Sequence, residues 1–366
     1  MHVVVVGAGI DGLSVAWALV KRGIRVTLLE QASVIPNPLS ASGDQHRIIR
    51  RAYGGLGGYQ RRIGEAYDSW AELWRDIGEN HLVNTGFLLV SQTAGDEADV
   101  YHAALRAGGY PAEELSAEEA GERYPFFDPA TIRNVAHSPE GGVLLCRKIA
   151  AGLLTWLKDQ GAGIMTDARV EAVDAAGGAV TLSDGKVIRG DHIVVTAGAW
   201  VLKLFPHLAA ALTPYRTAVA YLAPPSNLKE AWENAPVILD VGGTVDGYII
   251  PPVAGTGLKF GAGTHKRKGD PDQDRVPEAN EGTAIRDLFA PPVARIAEYE
   301  VTEVATCAYT FTSDEHFMLV GEDRLTIVSA CSGHGYKFGA AVGQRIAKGI
   351  VCNEMDQARA WLEARD

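Results

Sequence analysis

Apolar positions along the chain occur in short unbroken runs and in runs with helical spacing, and their order predicts an α/β protein. Val3 to Val6 form a continuous apolar run, the pattern of a strand buried on both faces. A small-residue turn follows, then a segment that repeats apolar Val15, Ala16, Leu19 and Val20 along one helical face and stops at Gly23. Residues 25–29 read as a second strand. Residues 59–80 predict an amphipathic helix carrying Trp70 and Trp74, and residues 86–91 a strand. Helices are expected at 100–107, at 116–123 with Ser116 as its cap, and at 143–160. Short strands at 163–165, 170–174 and 179–182 follow, the last leading into a hairpin turn at Ser183-Asp184-Gly185. Residues 191–200 repeat the opening pattern of buried strand and small-residue turn. From 213 to 261 alternation with Pro and Gly punctuation predicts an antiparallel sheet. A charged turn at 266–275, a helix at 277–289, a strand at 325–330 and a helix at 340–350 complete the chain.

This order implies two interleaved lobes. A Rossmann-like dinucleotide-binding domain takes 1–80, 138–205 and 305–366, and an antiparallel-sheet (α+β) substrate domain takes 81–137 and 206–304. A chain of 366 residues is long enough for two such cores.

Gly7, Gly9 and Gly12 stand between the first strand and its helix in Gly-x-Gly-x-x-Gly spacing. Gly7 permits a tight turn, Gly9 lets backbone approach a pyrophosphate, and Gly12 lets the helix pack close to the strand. The pyrophosphate would rest on the free N–H groups of the helix start. Glu30, at the end of the second strand, is placed to accept hydrogen bonds from an adenosine ribose, and an acid there disfavours a 2′-phosphate. The unit marks a dinucleotide site without choosing between NAD and FAD.

Composition narrows the partners. A net charge of −11 argues against nucleic acid and anionic membrane. No apolar run reaches the length of a membrane span and the first strand lacks a basic leader, so a cytoplasmic enzyme is expected. Cys146, Cys307, Cys331 and Cys352 show neither metal-ligand spacing nor a disulfide framework, so no metal site is expected. The segment from Asp44 to Arg51 admits two readings, a helix end with surface arginines or cations converging on an anionic ligand. Near the C-terminus, Ser332-Gly333-His334-Gly335-Tyr336-Lys337-Phe338 reads as a glycine turn into a helix start. Its backbone N–H groups suit developing negative charge on a bound ring.

Four stretches together carry a resemblance: the opening glycine unit, Arg47-Ile48-Ile49-Arg50 with Ala52-Tyr53-Gly54, Gly257-Leu258-Lys259, and the pair formed by Cys307 to Phe317 and Ser332 to Phe338. Over nearly its whole length the chain resembles the monomeric sarcosine oxidase and N-methyltryptophan oxidase branch of the FAD-dependent amine and amino-acid oxidases. The resemblance implies FAD, attached covalently through Cys307, and gives Gly333 and Gly335 a place beside it. Lys259 then matches the lysine that promotes reaction with O2, and Arg47 the arginine at the flavin edge. Arg50 and Lys337 match a clamp for the substrate carboxylate, and Tyr248 and Tyr309 aromatic residues of the substrate pocket. The partners implied are a small amino acid, secondary or N-methylated, and O2, with hydrogen peroxide as product. Two family histidines are missing, because Gly43 and Gly263 stand at their positions, and His46 and His265 are the nearby imidazoles that could replace them. A primary amino-acid oxidase and a dehydrogenase of the same fold stay open, as does a non-catalytic flavin-binding or electron-transfer subunit.

Overall fold

Strand His2–Val6 lies inside a six-stranded sheet, paired in parallel with Arg25–Leu29 on one side and His192–Val195 on the other. Gly163–Met165 extends the sheet beyond Arg25–Leu29. Leu325–Ser329 extends it beyond His192–Val195, and Met318–Glu322 closes that edge antiparallel. The chain therefore leaves the first strand toward one neighbour while the other neighbour arrives from far along the sequence. The C-terminal ends of those strands open a crevice at this switch point, where doubly wound sheets bind ligands. The computed structural model describes residues 1–241 and 243–365. Among the described residues no helix is long and apolar enough to cross a membrane.

Helix Ile10–Val20 is buried along nearly all its length because helix Gly339–Cys352 lies directly on it. A Cβ at Gly343 would stand 2.3 Å from the Ser14 carbonyl oxygen, so the two backbones touch only because no side chain intervenes. The long helix Gly57–Ile77 packs Trp70 and Trp74 inward as a stacked pair, and the Trp70 indole donates to the Lys337 carbonyl at 2.8 Å.

The second large sheet has eight strands in the order Glu300–Phe311, Thr213–Ala223, Leu258–Lys268, Gly247–Ile250, Val237–Val241, Phe87–Ser91, Asn134–Ser138 and Glu113–Ser116. All its pairings are antiparallel except Val237–Val241 with Phe87–Ser91. Thr213–Ala223 sits between two long partners, and its register puts Lys259 opposite Tyr221 and Cys307 opposite Thr217. The expected α/β class, a parallel sheet with a separate antiparallel one, is what the chain adopts.

Four local expectations change. Arg47–Arg50 is a strand rather than a helix end, held by Gly141–Leu144. Val143 and Leu144 consequently belong to that strand, and the helix expected at 143–160 runs from Cys146 to Asp159. The charged turn at 266–275 begins later, because Lys266 to Lys268 continue the ladder with Thr213–Ala223. The helix expected at 277–289 is shorter, Glu281–Asp287. At 116–123 the cap is a full capping box: Ser116 Oγ accepts from the Glu119 N–H at 3.2 Å while the Glu119 carboxylate accepts from the Ser116 N–H.

Candidate active site

Two cavities meet at a shared wall of Arg47, Tyr309, Gly333 and Tyr336. The first, about 330 Å³, runs along the switch-point crevice and is lined by Gly7, Gly9, Glu30, Ser42, Thr196 and Gly335, among others. Gly7 has φ +99°, and a Cβ on it would lie 2.6 Å from the Thr196 carbonyl oxygen. At Gly12 a Cβ would lie 1.8 Å from the Gly7 carbonyl oxygen, so strand and helix could not meet. At Gly9 only the Ser42 hydroxyl comes near, at 3.2 Å, and Ser42 Oγ accepts from the Ile10 N–H at 2.9 Å. The glycine unit thus builds a backbone cradle at the start of a helix. Glu30 is buried and its carboxylate accepts from the N–H groups of Ala8 at 2.9 Å and Ala32 at 3.0 Å. It fastens the turn to the second strand as well as facing the cavity. Asp11, in the first helical turn, also lines this cavity, and burial raises its carboxyl to about 7.

The second cavity, about 500 Å³, has a cationic end and an acidic lip. At the cationic end the Arg50 guanidinium lies 5.1 Å from the Tyr53 ring centre and 4.7 Å from that of Tyr101. Arg50 also donates to the Ala52 carbonyl. Lys337 Nζ stands 5.3 Å from the same Tyr53 ring and donates to the His334 carbonyl at 3.0 Å. Lys337 is only 6% exposed, and burial, with Arg50 second, holds its ammonium well below the usual lysine range. An anion between the two cations would reverse that shift. At the lip, Glu97, Asp240 and Asp246 bring carboxylate oxygens within 4.8 Å of one another. Burial and then Glu97 raise Asp246 to about 6. Tyr248 and Tyr309 both line the cavity, as expected of them.

Arg47 ties the wall together. It donates to Asp44 Oδ2 at 2.6 Å, to the carbonyls of His46 at 3.0 Å and Ala41 at 2.8 Å, and approaches Cys307 Sγ at 3.6 Å. Cys307 is 3% exposed and lines neither cavity, although its neighbours Ala308 and Tyr309 line the first. Burial raises its thiol, and the Arg47 charge works against that rise. Lys259 is fully buried and donates to Asp44 Oδ2 at 2.9 Å and to the His46 carbonyl at 2.7 Å. Gly333, with φ +77°, lines both cavities, and Gly335 lines the first.

Neither candidate imidazole replaces the missing histidines. His46 is buried against Tyr221 with its Nε2 on the Gly257 carbonyl at 3.1 Å. Burial and then Lys259 push it down to about 3, so it is neutral. His265 pairs with Glu281 at 3.0 Å, in a cluster with Arg216. Neither lines either of these two cavities. The positions themselves explain why: a side chain at Gly43 would strike the Asn37 carbonyl oxygen at 2.1 Å, and one at Gly263 the Asp246 carboxylate at 1.8 Å. Asp246 fills the space that a residue-263 side chain would need. The imidazole that does line the substrate-sized cavity is His334. Its Nε2 donates to the Glu315 carbonyl at 2.9 Å, so its Nδ1 accepts from Tyr53 Oη at 3.0 Å. Burial and Lys337 hold it near 3, hence neutral. His334, Tyr53, Tyr101, Asp44 and Asp246 were not among the expected site residues.

Residues 2–348 match the family model described as DAO, FAD dependent oxidoreductase. The chain belongs to this family. It is 28% identical over 361 residues to the monomeric sarcosine oxidase of Bacillus sp. (strain B-0618), covering 94% of this chain and 91% of that protein. Identity to the N-methyl-L-tryptophan oxidase of Yersinia pestis (strain Pestoides F) is 25% over 352 residues, covering 93% and 92%. Among solved structures, the L-proline dehydrogenase of P. horikoshii superposes with a TM-score of 0.82 at 19% identity, covering 99% of this chain and 96% of that one. That likeness concerns the fold. The backbone cradle at Gly9 and the crevice leading from it to Arg47 and Gly333 fit the FAD that the family uses.

Proposed function

We propose that this member of the FAD dependent oxidoreductase family is an amino-acid oxidase. Its substrate is a secondary or N-methylated amino acid, its electron acceptor is O2, and its products are an imine and hydrogen peroxide. The observation that carries the reading is the convergence of Arg50 and Lys337 over one Tyr53 ring, in a cavity that shares a wall with the dinucleotide crevice. A buried lysine and a half-buried arginine, neither in a carboxylate ion pair among the described residues, are suited to a carboxylate ligand. The names of the sarcosine and N-methyl-L-tryptophan oxidases extend this to the amine that the ligand carries.

In this reading Gly7, Gly9, Gly12 and Glu30 hold the ADP half of FAD, with Gly333 and Gly335 beside its ring. Segments 1–80, 138–205 and 305–366 serve the cofactor, and 81–137 and 206–304 enclose the substrate. FAD supplies the acceptor for the hydride and passes the electrons on. The protein's part is positioning: Arg50 and Lys337 fix the carboxylate, Tyr248 and Tyr309 the flanks, and Arg47 and Lys259 the cationic surroundings of the reacting ring. The amine reacts in its neutral form, because only then is a lone pair available to form the imine. A cytoplasmic setting is part of this reading.

Peroxide release over N-methyl, cyclic and primary amino acids tests the reading. Secondary amino acids should give peroxide and their decarboxylated amines should not. Turnover with an artificial acceptor but no O2 consumption would instead make the protein a dehydrogenase. We further propose that Cys307 carries the flavin covalently. Acid precipitation should then leave a yellow, fluorescent pellet, and Cys307→Ser should leave a colourless pellet and yellow supernatant. A colourless pellet from the unaltered protein removes the covalent link.

A further inference from the structure

Asp44 lies behind the shared wall, bonded to Arg47, and lines neither cavity. It is 4% exposed. Its Oδ2 accepts from Lys259 at 2.9 Å and Arg47 at 2.6 Å, and its Oδ1 accepts from Tyr221 Oη at 2.5 Å and the Gln45 N–H at 2.7 Å. The partners come from three separate places, since Lys259 and Tyr221 face each other across two strands of the antiparallel sheet and Arg47 lies on the small bridging sheet. We propose that Asp44 is the positioning residue that keeps Lys259 protonated and fixed in direction. It thereby sets the rate at which the reduced enzyme reacts with O2. This rests on the reading of Lys259 given above.

Charge balance around Lys259 carries this role. Around the Lys259 ammonium stand Asp44, His46 and Arg47 from the loop and bridging strand, Tyr221 from the neighbouring strand, and the Cys307 and Cys146 thiols. His46 is neutral, burial holds Cys146 near 11, and it also raises the Cys307 thiol and the Tyr221 phenol. The ions are therefore Lys259, Arg47 and Asp44, two cations and one anion. Burial, the largest influence, and Arg47 both push Lys259 below the usual lysine range, while Asp44 opposes them. Burial alone would raise Asp44, but Lys259 and then Arg47 overcome it and leave the carboxyl well below its ordinary value. Without the carboxylate, two buried cations would face each other. Arginine does not release its proton in proteins, so lysine must. Two of the three Lys259 N–H donors are spent on Asp44 and the His46 carbonyl, which fixes the axis of the third.

The test compares Asp44→Asn, Asp44→Glu and Tyr221→Phe with the unaltered holoenzyme. NMR of 13C-labelled lysine, with Lys259→Met to assign the resonance, should show an ammonium at Lys259 near neutral pH in the unaltered protein and an amine in Asp44→Asn. In stopped flow, Asp44→Asn should slow reoxidation by O2 by at least about tenfold at neutral pH, the effect of one unit of displaced pKa. That rate should recover on acidification, because lower pH returns the proton to Lys259, and reduction by substrate should stay close to normal. Asp44→Glu and Tyr221→Phe keep the anion and should keep the ammonium. Should Asp44→Asn not fold, the coupling can be read from the other side. Lys259→Met must raise the pKa of the labelled Asp44 carboxyl, since linkage is reciprocal. A Lys259 that stays charged in Asp44→Asn, a slowed rate without acid recovery, or an unmoved Asp44 in Lys259→Met each overturns the proposal. If the unaltered enzyme proves indifferent to O2, the oxidase reading fails while the NMR titration still decides the role of Asp44.

Discussion

Replacing Arg50 with alanine should raise KM for amino-acid substrates strongly and lower kcat far less. The truncation leaves the substrate carboxylate with Lys337 alone, in a cavity where burial already disfavours the ammonium. Loss of a buried hydrogen-bonded charge contact costs ~2–5 kcal/mol, and each 1.4 kcal/mol is a factor of ten, so the rise should be about 30-fold to a few thousand-fold. Arg50→Lys should recover only part of it. A lysine keeps the charge but loses the planar fork and the stacking on Tyr53 and Tyr101. A thermal melt on the same variants separates this loss of packing from the loss of binding. Steady-state kinetics over a panel of amino acids and their decarboxylated amines makes the check. A KM for the amino acids that stays where it was would sink the clamp, as would an equal change for amines that carry no carboxylate.

The opening unit was legible because its constraints are local. Steric exclusion at Gly12 comes from the Gly7 carbonyl and the positive φ of Gly7 belongs to the turn itself, so residue spacing encodes both, whereas the approach of the Thr196 carbonyl to Gly7 is tertiary. Glu30 was legible in position but only half in role, since its bonds to the Ala8 and Ala32 N–H groups depend on how the turn closes. The segment 47–50 was harder. A strand of four residues carries too little alternation to declare itself, and its partner Gly141–Leu144 lies about ninety residues away. The same pairing took Val143 and Leu144 from the helix that their apolar character had suggested.

At the site, residue types were legible and contacts were not. Lys259 and Asp44 are separated by 215 residues: the register of Thr213–Ala223 on Leu258–Lys268 sets Tyr221 opposite Lys259, and Asp44 reaches both from the segment before Arg47–Arg50. The missing histidines show the same limit. Proximity in sequence made His46 and His265 the natural substitutes, yet the ladder with Thr213–Ala223 shifts register between Gly261 and Lys266, so spacing alone does not set which way the side chains between them face. His265 is two residues from Gly263 and still finds Glu281, whereas the space at Gly263 belongs to Asp246 on an adjacent segment. A glycine in a strand marked a close approach, but what approaches it is a tertiary fact.

Lys259→Met should separate the two halves of the catalytic cycle. Methionine matches the length of the lysine stem and keeps the apolar packing, while the charge and its two hydrogen bonds are lost. Breaking a buried ion pair by removing one partner costs about 3–5 kcal/mol when the other charge is stranded. Here Asp44 retains Arg47, Tyr221 and the Gln45 N–H, so the fold should survive with a smaller loss. Anaerobic reduction by substrate depends on Arg50, Lys337 and the aromatic walls, none of which touches Lys259, and should be nearly unchanged. Reoxidation by O2 places new negative charge beside the ring. A fixed buried cation serves that charge as a preorganised donor serves an oxyanion, and removing such a donor typically costs about 10²–10³-fold in rate. Stopped-flow measurement of both half-reactions gives the answer. A selective fall in reoxidation assigns Lys259 to the oxygen step, and an equal fall in both would show that the Asp44–Lys259–Arg47 cluster only holds the two cavities in shape.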